Sequence, residues 1–224
     1  SLMFGTRSVR DPSFFVTSSV VTRLGGKRKK VLEGEHFREG GRRTWVQVLS
    51  NAPATILCVA MLRYGHSAAL VSGYVAQIAA MQGDTWSSEI GVLGRSTPRL
   101  ITTLARVPAG TNGGVTLLGF AGAALGGAVL GLAVWASALL AHTAHASIWT
   151  VFAVVAYALV GSVVDSLLGS TLQFSGLNKR TNTVVEHAGP NVERICGYEL
   201  LDNHQVNLLA AVIVMLIRIA FPLF

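Results

Sequence analysis

Apolar residues in this chain fall into five long runs: Trp45–Leu62, Ser67–Gln82, Gly114–Ala141, Ser147–Ser170 and Gln205–Phe224. A helix needs about 20 apolar residues to cross a bilayer. The last three runs meet that length. Trp45–Leu62 is interrupted by Pro53 and Ser67–Gln82 is short, so these two are expected as tilted or re-entrant helices packed inside protein. The predicted fold is all-α: a polytopic transmembrane helix bundle of about five spans, with short or broken helices. The chain opens Ser1-Leu2-Met3, and the apolar Phe14–Val21 is too short to span. Residues 1–44 are therefore read as the tail of a truncated helix plus a basic loop, and residues 45–224 as the multi-span membrane domain.

Composition agrees with this pattern. Of 224 residues, 51% are hydrophobic and 13% charged, where a soluble domain carries about a quarter charged residues. Mean hydropathy is +0.52. These values exclude a disordered chain and a nucleic-acid module with a solvated surface, despite the net charge of +7. Ten of the 18 basic residues lie between Arg7 and Arg43, whereas Asp165 is the only charge between Arg106 and Lys179. If the runs alternate across the membrane, Arg23–Arg43, Gly83–Gly113 and Thr171–His204 share one face. That face holds 14 Lys+Arg, against Arg63 and Arg218 on the other, which places it toward the cytoplasm or its equivalent. The run Lys27-Arg28-Lys29-Lys30 suits a juxtamembrane stretch held against anionic lipid. Cys58 and Cys196 form no disulfide framework and are read as free thiols. His142 and His145 lie on the uncharged face with no carboxylate nearby, which is a poor metal site.

Several polar positions need a reason. Gly119, Ala123, Gly127 and Gly131 recur every four residues beside Gly122 and Gly126, a row that lets helix backbones approach closely in lipid. Asp165 lies inside an apolar run, where a carboxylate costs about 2.5–3.5 kcal/mol on insertion scales and so marks either function or a bond to a neighbouring helix. Ser162, Ser166 and Gly169 share its helix face. Gly83-Asp84-Thr85-Trp86-Ser87-Ser88-Glu89-Ile90-Gly91 follows the second run. On a regular helix Asp84 and Glu89 point roughly 140° apart, so they share a cation only if a glycine breaks the helix. The alternative is Asp84 as a helix cap with Glu89 exposed. The glycine-rich Val107–Thr116 leads into the third run, and its Thr111, Asn112, Gly113 and Gly114 suit either a capped turn or a backbone cradle for phosphate. Arg95, Arg99 and Arg106 lie just before it.

Taken in order, six stretches resemble one family. They are Gly40–Asn51 (GGRRTWVQVLSN), Gly83–Gly91, Pro98–Thr103 (PRLITT), Val107–Thr116, Gly161–Gly169 (GSVVDSLLG) and Leu201-Asp202-Asn203 with Val206-Asn207. Their sequence is similar to the integral-membrane family that includes animal transmembrane protein 19 and the plant phytyl-phosphate kinase. The resemblance runs from about Phe14 to the C-terminus. Thr44 stands where the family has Asn, and Ser87 where Ala is common.

That resemblance implies a membrane kinase that moves a phosphoryl group from a nucleoside triphosphate, CTP above others, to an isoprenoid monophosphate such as phytyl phosphate. Such transfer depends on positioning and on neutralising phosphate charge, with Mg²⁺ held by carboxylates. Asp84, Asp165 and Asp202 are the expected magnesium holders, with Glu89 as an auxiliary acid. Arg43, Arg99 and Arg106 are the expected phosphate clamps beside the Thr111–Gly114 turn. The expected partners are the bilayer, the prenyl monophosphate and the nucleotide. Two competing readings are an ion-coupled carrier, which would also place acids within helices, and a membrane protein without catalysis.

Overall fold

The computed structural model describes residues 68–142 and 147–221, together with positions 56, 59 and 63. Arg43, Lys27–Lys30 and all but three positions of the stretch before Ala68 lie outside the described residues, as does the greater part of the first expected span. Among the described residues the chain is mostly helical. Four helices pack together: α1 (Ala68–Gly91), α2 (Leu117–Leu140), α3 (Trp149–Leu172) and α4 (Asn203–Ala220). Three of them, α2, α3 and α4, are long and apolar enough to cross a membrane. Where no water is present each backbone N–H and C=O must bond within its own segment, which is why unbroken helices result.

Outward-facing large apolar side chains confirm what surrounds the bundle. Leu117, Leu125, Leu132 and Leu140 on α2, Phe152 and Leu167 on α3, and Leu216 on α4 are exposed. Apolar surface on that scale belongs against lipid. Trp149 and Phe152 touch at a centroid distance of 5.4 Å where α3 begins, a placement suited to the bilayer boundary.

Helix α1 differs from the other three. It packs against α2, α3 and α4 together, and it carries the buried Gln77 and Gln82 as well as Asp84. A helix enclosed by protein tolerates polar groups that a lipid-facing one does not. This is the physical reason for its low hydropathy. The second run is not short: it continues through Gly83 to Gly91 as 24 unbroken residues. Gly83 does not break the helix because its missing side chain serves packing, since a Cβ there would collide with the Ala158 carbonyl of α3. On the other side, a Cβ at Gly122 would lie 2.6 Å from the Trp86 carbonyl and one at Gly126 would lie 2.9 Å from the Trp86 ring. Gly127 and Gly131 instead meet Val151, Val154, Val155 and Ala158 of α3. The glycine row of α2 thus splits between two neighbours. The shared core is small, built from Ala76, Ala79, Ala80, Leu130, Val154, Tyr157, Ala158 and Val214.

Contact order along these seams sets direction. Gly119 and Gly126 of α2 meet Ser87 and Trp86 of α1, and Gly127 and Gly131 meet Ala158 and Val151. Both pairings are antiparallel, so α1 and α3 run in parallel and end together. The loops at that common end bear short strands, which amends the all-α expectation. Strands β1 (Arg99–Leu100) and β2 (Gly114–Val115) form a small antiparallel ribbon. Strands β3 (Ser175–Asn178), β4 (Thr183–Val185) and β5 (Val192–Cys196) form an antiparallel sheet in the order β4-β3-β5. Its β3–β4 turn is closed by Asn178, whose side chain accepts from the Arg180 N–H at 2.9 Å.

Candidate acid pair at the charged end

On α1 and α3 the site is built one helical turn beyond a tight contact. Ala80 and Gly161 touch so closely that a Cβ on Gly161 would collide with the Ala80 backbone. Residues i and i+4 lie on one helix face, and both helices run the same way. Asp84 and Asp165 therefore follow on the facing sides. Their carboxyl groups face each other within hydrogen-bonding reach. Each acid sits seven residues inside the end of its helix, at Gly91 and Leu172, a depth of roughly 10 Å at 1.5 Å per residue. Both are partly buried, and Ser162 beside Asp165 is fully buried. Two bare carboxylates repel each other at this separation; a proton or a cation has to lie between them.

The Val107–Thr116 loop covers the end of α3 just above the pair. Gly113 has φ +72 and its position admits no side chain, because a Cβ would collide with Ser170 and the Ser166 carbonyl. That left-handed, crowded position is one that glycine alone fills without strain. Beside it, Asn112 joins the loop to the sheet. Its backbone N–H donates to Ser175 Oγ at 3.0 Å, its side chain donates to the Phe174 carbonyl at 3.1 Å, and its carbonyl accepts from Cys196 Sγ at 3.4 Å. Leu100 and Val107 pack with Cys196 beneath the ribbon. Burial pushes the Cys196 thiol up from its ordinary value, more than Ser175 and Arg194 draw it down. It is an inert packing group.

The other predicted site residues fall in different places. The Thr111 and Gly114 N–H groups donate to the Pro108 and Thr111 carbonyls, and the Asn112 N–H is committed to Ser175. Two of these amides close the turn on itself and the third ties it to β3, so the turn serves as a structural clamp. Neither Thr111 nor Asn112 caps the helix that follows; Thr116 does, accepting from the Gly119 N–H at 3.0 Å. Asp84 is no cap either, since it lies well inside α1. Glu89 shares that unbroken helix and so points away from Asp84. Asp202 is the N-cap of α4: its carboxylate accepts from the Gln205 N–H while the Gln205 side chain accepts from its own N–H. The expected three-acid cluster is thus a pair. Among the described residues no group of three His, Cys, Asp or Glu side chains is placed to hold a metal. Arg99 and Arg106 are exposed on the ribbon side of the same end.

Sequence reading passed over Gln82 and Trp86. Gln82 donates to the Gly126 carbonyl at 2.6 Å, while its Oε1 and the Trp86 Nε1 are buried with no hydrogen-bond partner among the described residues. The signal was present, as a glutamine closing an apolar run demands a polar reason.

The chain matches the integral membrane protein family DUF92 over residues 12–215. It is 38% identical over 213 residues to Protein PGR of Arabidopsis thaliana, covering 87% of this chain and 74% of that one. An uncharacterized membrane protein of Methanocaldococcus jannaschii is 32% identical over 179 residues, 79% of this chain and 70% of its own. Another from Synechocystis is 34% identical over 168 residues, 72% of this chain and 61% of its own. No solved structure matches. Sequence match and lipid-facing helices agree: the chain belongs to the DUF92 family of integral membrane proteins.

Proposed function

We propose that this protein is a membrane phosphotransferase that carries a phosphoryl group from a nucleoside triphosphate, CTP in the first instance, to an isoprenoid monophosphate such as phytyl phosphate. The observation that carries the reading is the meeting of Asp84 and Asp165 between α1 and α3, roughly 10 Å inside the charged-loop end. The motif resemblance to the plant phytyl-phosphate kinase supplies the substrate class.

An acceptor monophosphate has a second pKa near 6 and is largely a dianion at pH 7, so its oxygen attacks without a general base. The new P–O bond forms at the γ-phosphorus as the bond to the bridging oxygen breaks, and the nucleoside diphosphate leaves. The obstacle is charge. Two facing carboxylates offering only oxygen fit Mg²⁺, which takes one or two protein carboxylates and leaves other positions to phosphate and water. When bound, that ion would neutralise phosphate charge. Asp84 and Asp165 would hold it. Asp202 is left out because its carboxylate is engaged in capping. The prenyl chain would lie along the apolar outer face of the bundle, with its phosphate at the charged end on the cytoplasmic or equivalent side.

Asp165→Asn is expected to abolish nucleotide-dependent conversion of phytyl monophosphate by purified protein in lipid with Mg²⁺ and CTP; full turnover by that variant would refute the assignment. A second reading, an ion-coupled carrier, is favoured by one observation: Arg218 is buried within a span, in electrostatic reach of Tyr157. Substrate uptake into proteoliposomes without nucleotide turnover would select it.

A further inference from the structure

The Pro98–Thr103 stretch plays no part in the acid pair, yet its hairpin is unusual in three ways. First, Arg99 and Arg106 face each other as antiparallel bridge partners. Directly opposed like charges are destabilising on a ribbon, because opposed side chains share one face. Both are exposed, and residues 92–116 contain three arginines and no Asp, Glu or Lys.

Second, Leu104 at the hairpin tip has φ +59, a left-handed conformation that is an outlier for a bulky residue, and it is 63% exposed. The strain is held in place. The Leu104 N–H donates to the Leu100 carbonyl at 2.7 Å, and Arg99 Nη1 donates to the Leu104 carbonyl at 2.8 Å. Leu100 itself is buried with Val107 and Cys196, so the hairpin has a firm base and an apolar tip. Held strain of this kind points to a use.

Third, the hairpin sits at the membrane boundary. Arg99 pairs with Val115, and Leu117 begins α2 as its most exposed apolar residue. The apolar span thus starts two residues beyond β2, the strand that pairs with Arg99. An exposed leucine suits acyl chains, and guanidinium groups suit phosphate headgroups.

We infer that the Arg99–Arg106 hairpin is a seat for the phosphate head of an anionic membrane lipid, with Leu104 inserted beside its chains. A phosphate oxygen between the two guanidinium groups relieves their repulsion and suits their planar donors. The bilayer is the source to which the geometry points, because the tip is apolar and the strand paired with Arg99 leads directly into the α2 span. Arg99 and Arg106 are also the phosphate clamps that the resemblance implies; here the phosphate is that of a resident lipid, and neither aspartate takes part, so lipid retention and phosphoryl transfer are read separately.

The test is lipid retention. Full-chain protein is assembled in nanodiscs of phosphatidylcholine with a minor share of phosphatidic acid, released, and its bound lipids are counted by native mass spectrometry. Wild-type protein is expected to retain phosphatidic acid in preference to phosphatidylcholine. In the double variant Arg99→Gln/Arg106→Gln that preference is expected to fall about tenfold, as two charge-assisted contacts are lost. Leu104→Gly relieves the left-handed strain, so folding is safeguarded. It is expected to keep the preference for phosphatidic acid while lowering the total lipid retained. Unchanged retention in the double variant would overturn the inference. So would complete displacement of phosphatidic acid from wild-type protein by millimolar inorganic phosphate, since the site would then take free phosphate and not a lipid.

Discussion

Helix α1 presents two seams that solve the same packing problem with opposite chemistry. Toward α2 it offers Trp86 and Ser87 to a row of glycines, with a polar link from Gln82 to the Gly126 carbonyl. Toward α3 it again packs through small residues, Ala80 and Gly83 against Gly161 and Ala158. One turn further on, though, it places Asp84 against Asp165. Close backbone approach supplies the stability of both seams. The difference teaches that the acids are not needed to hold the helices together, because the α2 seam does without them. An acid pair at membrane depth that packing does not require is best explained by what it binds.

The largest expected effect that would break this contrast is on activity. On the proposed phosphotransferase reading, Asp84→Asn and Asp165→Asn should each lower phosphoryl transfer on the order of a hundredfold or more, as expected when a charge-stabilising group is removed. Each should also leave the unfolding midpoint in detergent at or above that of wild type, because an amide needs no shared proton or cation. A midpoint that drops with activity would make the pair structural.

Next in size is the glycine seam. Gly122→Val should destabilise the bundle by about 1–3 kcal/mol, the usual cost of forcing methyl groups into a packed interface. Gly161→Val should do at least as much on the α3 side, judged by thermal unfolding in detergent. Tolerance at either site would mean that the seams can open.

Smaller still is Gln82→Leu. It removes one interhelical hydrogen bond and also an unpartnered buried oxygen, so the net change should stay within about 1 kcal/mol in either direction. Urea or thermal titration of the purified variant reads it.

The smallest effect lies in the sheet. Lys179 pairs with Glu193 at 2.8 Å, and its hydrogen bond and charge hold the Glu193 carboxyl below its usual range. A depressed carboxylate stabilises the fold above its unfolded-state value, and that contribution is lost as pH falls through the folded value. Because the pair is exposed and screened by salt, Glu193→Gln should scarcely change stability at pH 7 and should flatten only its acid limb.

How much of this could be read from sequence varied with burial. The runs that became α2, α3 and α4 were legible because lipid-facing helices must be apolar nearly throughout. Helix α1 extends past its expected end because Gly83, read as a possible break, and Asp84, read as a possible cap, both lie inside it. Inside a bundle they are a close-packing residue and an enclosed acid. Strands of two to five residues carry too little pattern to be seen among loop residues. The two acids that meet were each marked by their apolar surroundings, but nothing local says which helices run in parallel. Asp202 was grouped with them although Asp202-Asn203-His204-Gln205 spells a capping box.

Asn112 fastens segments 62 to 84 positions apart in the chain. The sheet, the glycine turn and the end of α3 are thereby joined in one connected unit. Gly113 closes the chain of contacts against Ser166, the very next residue after Asp165.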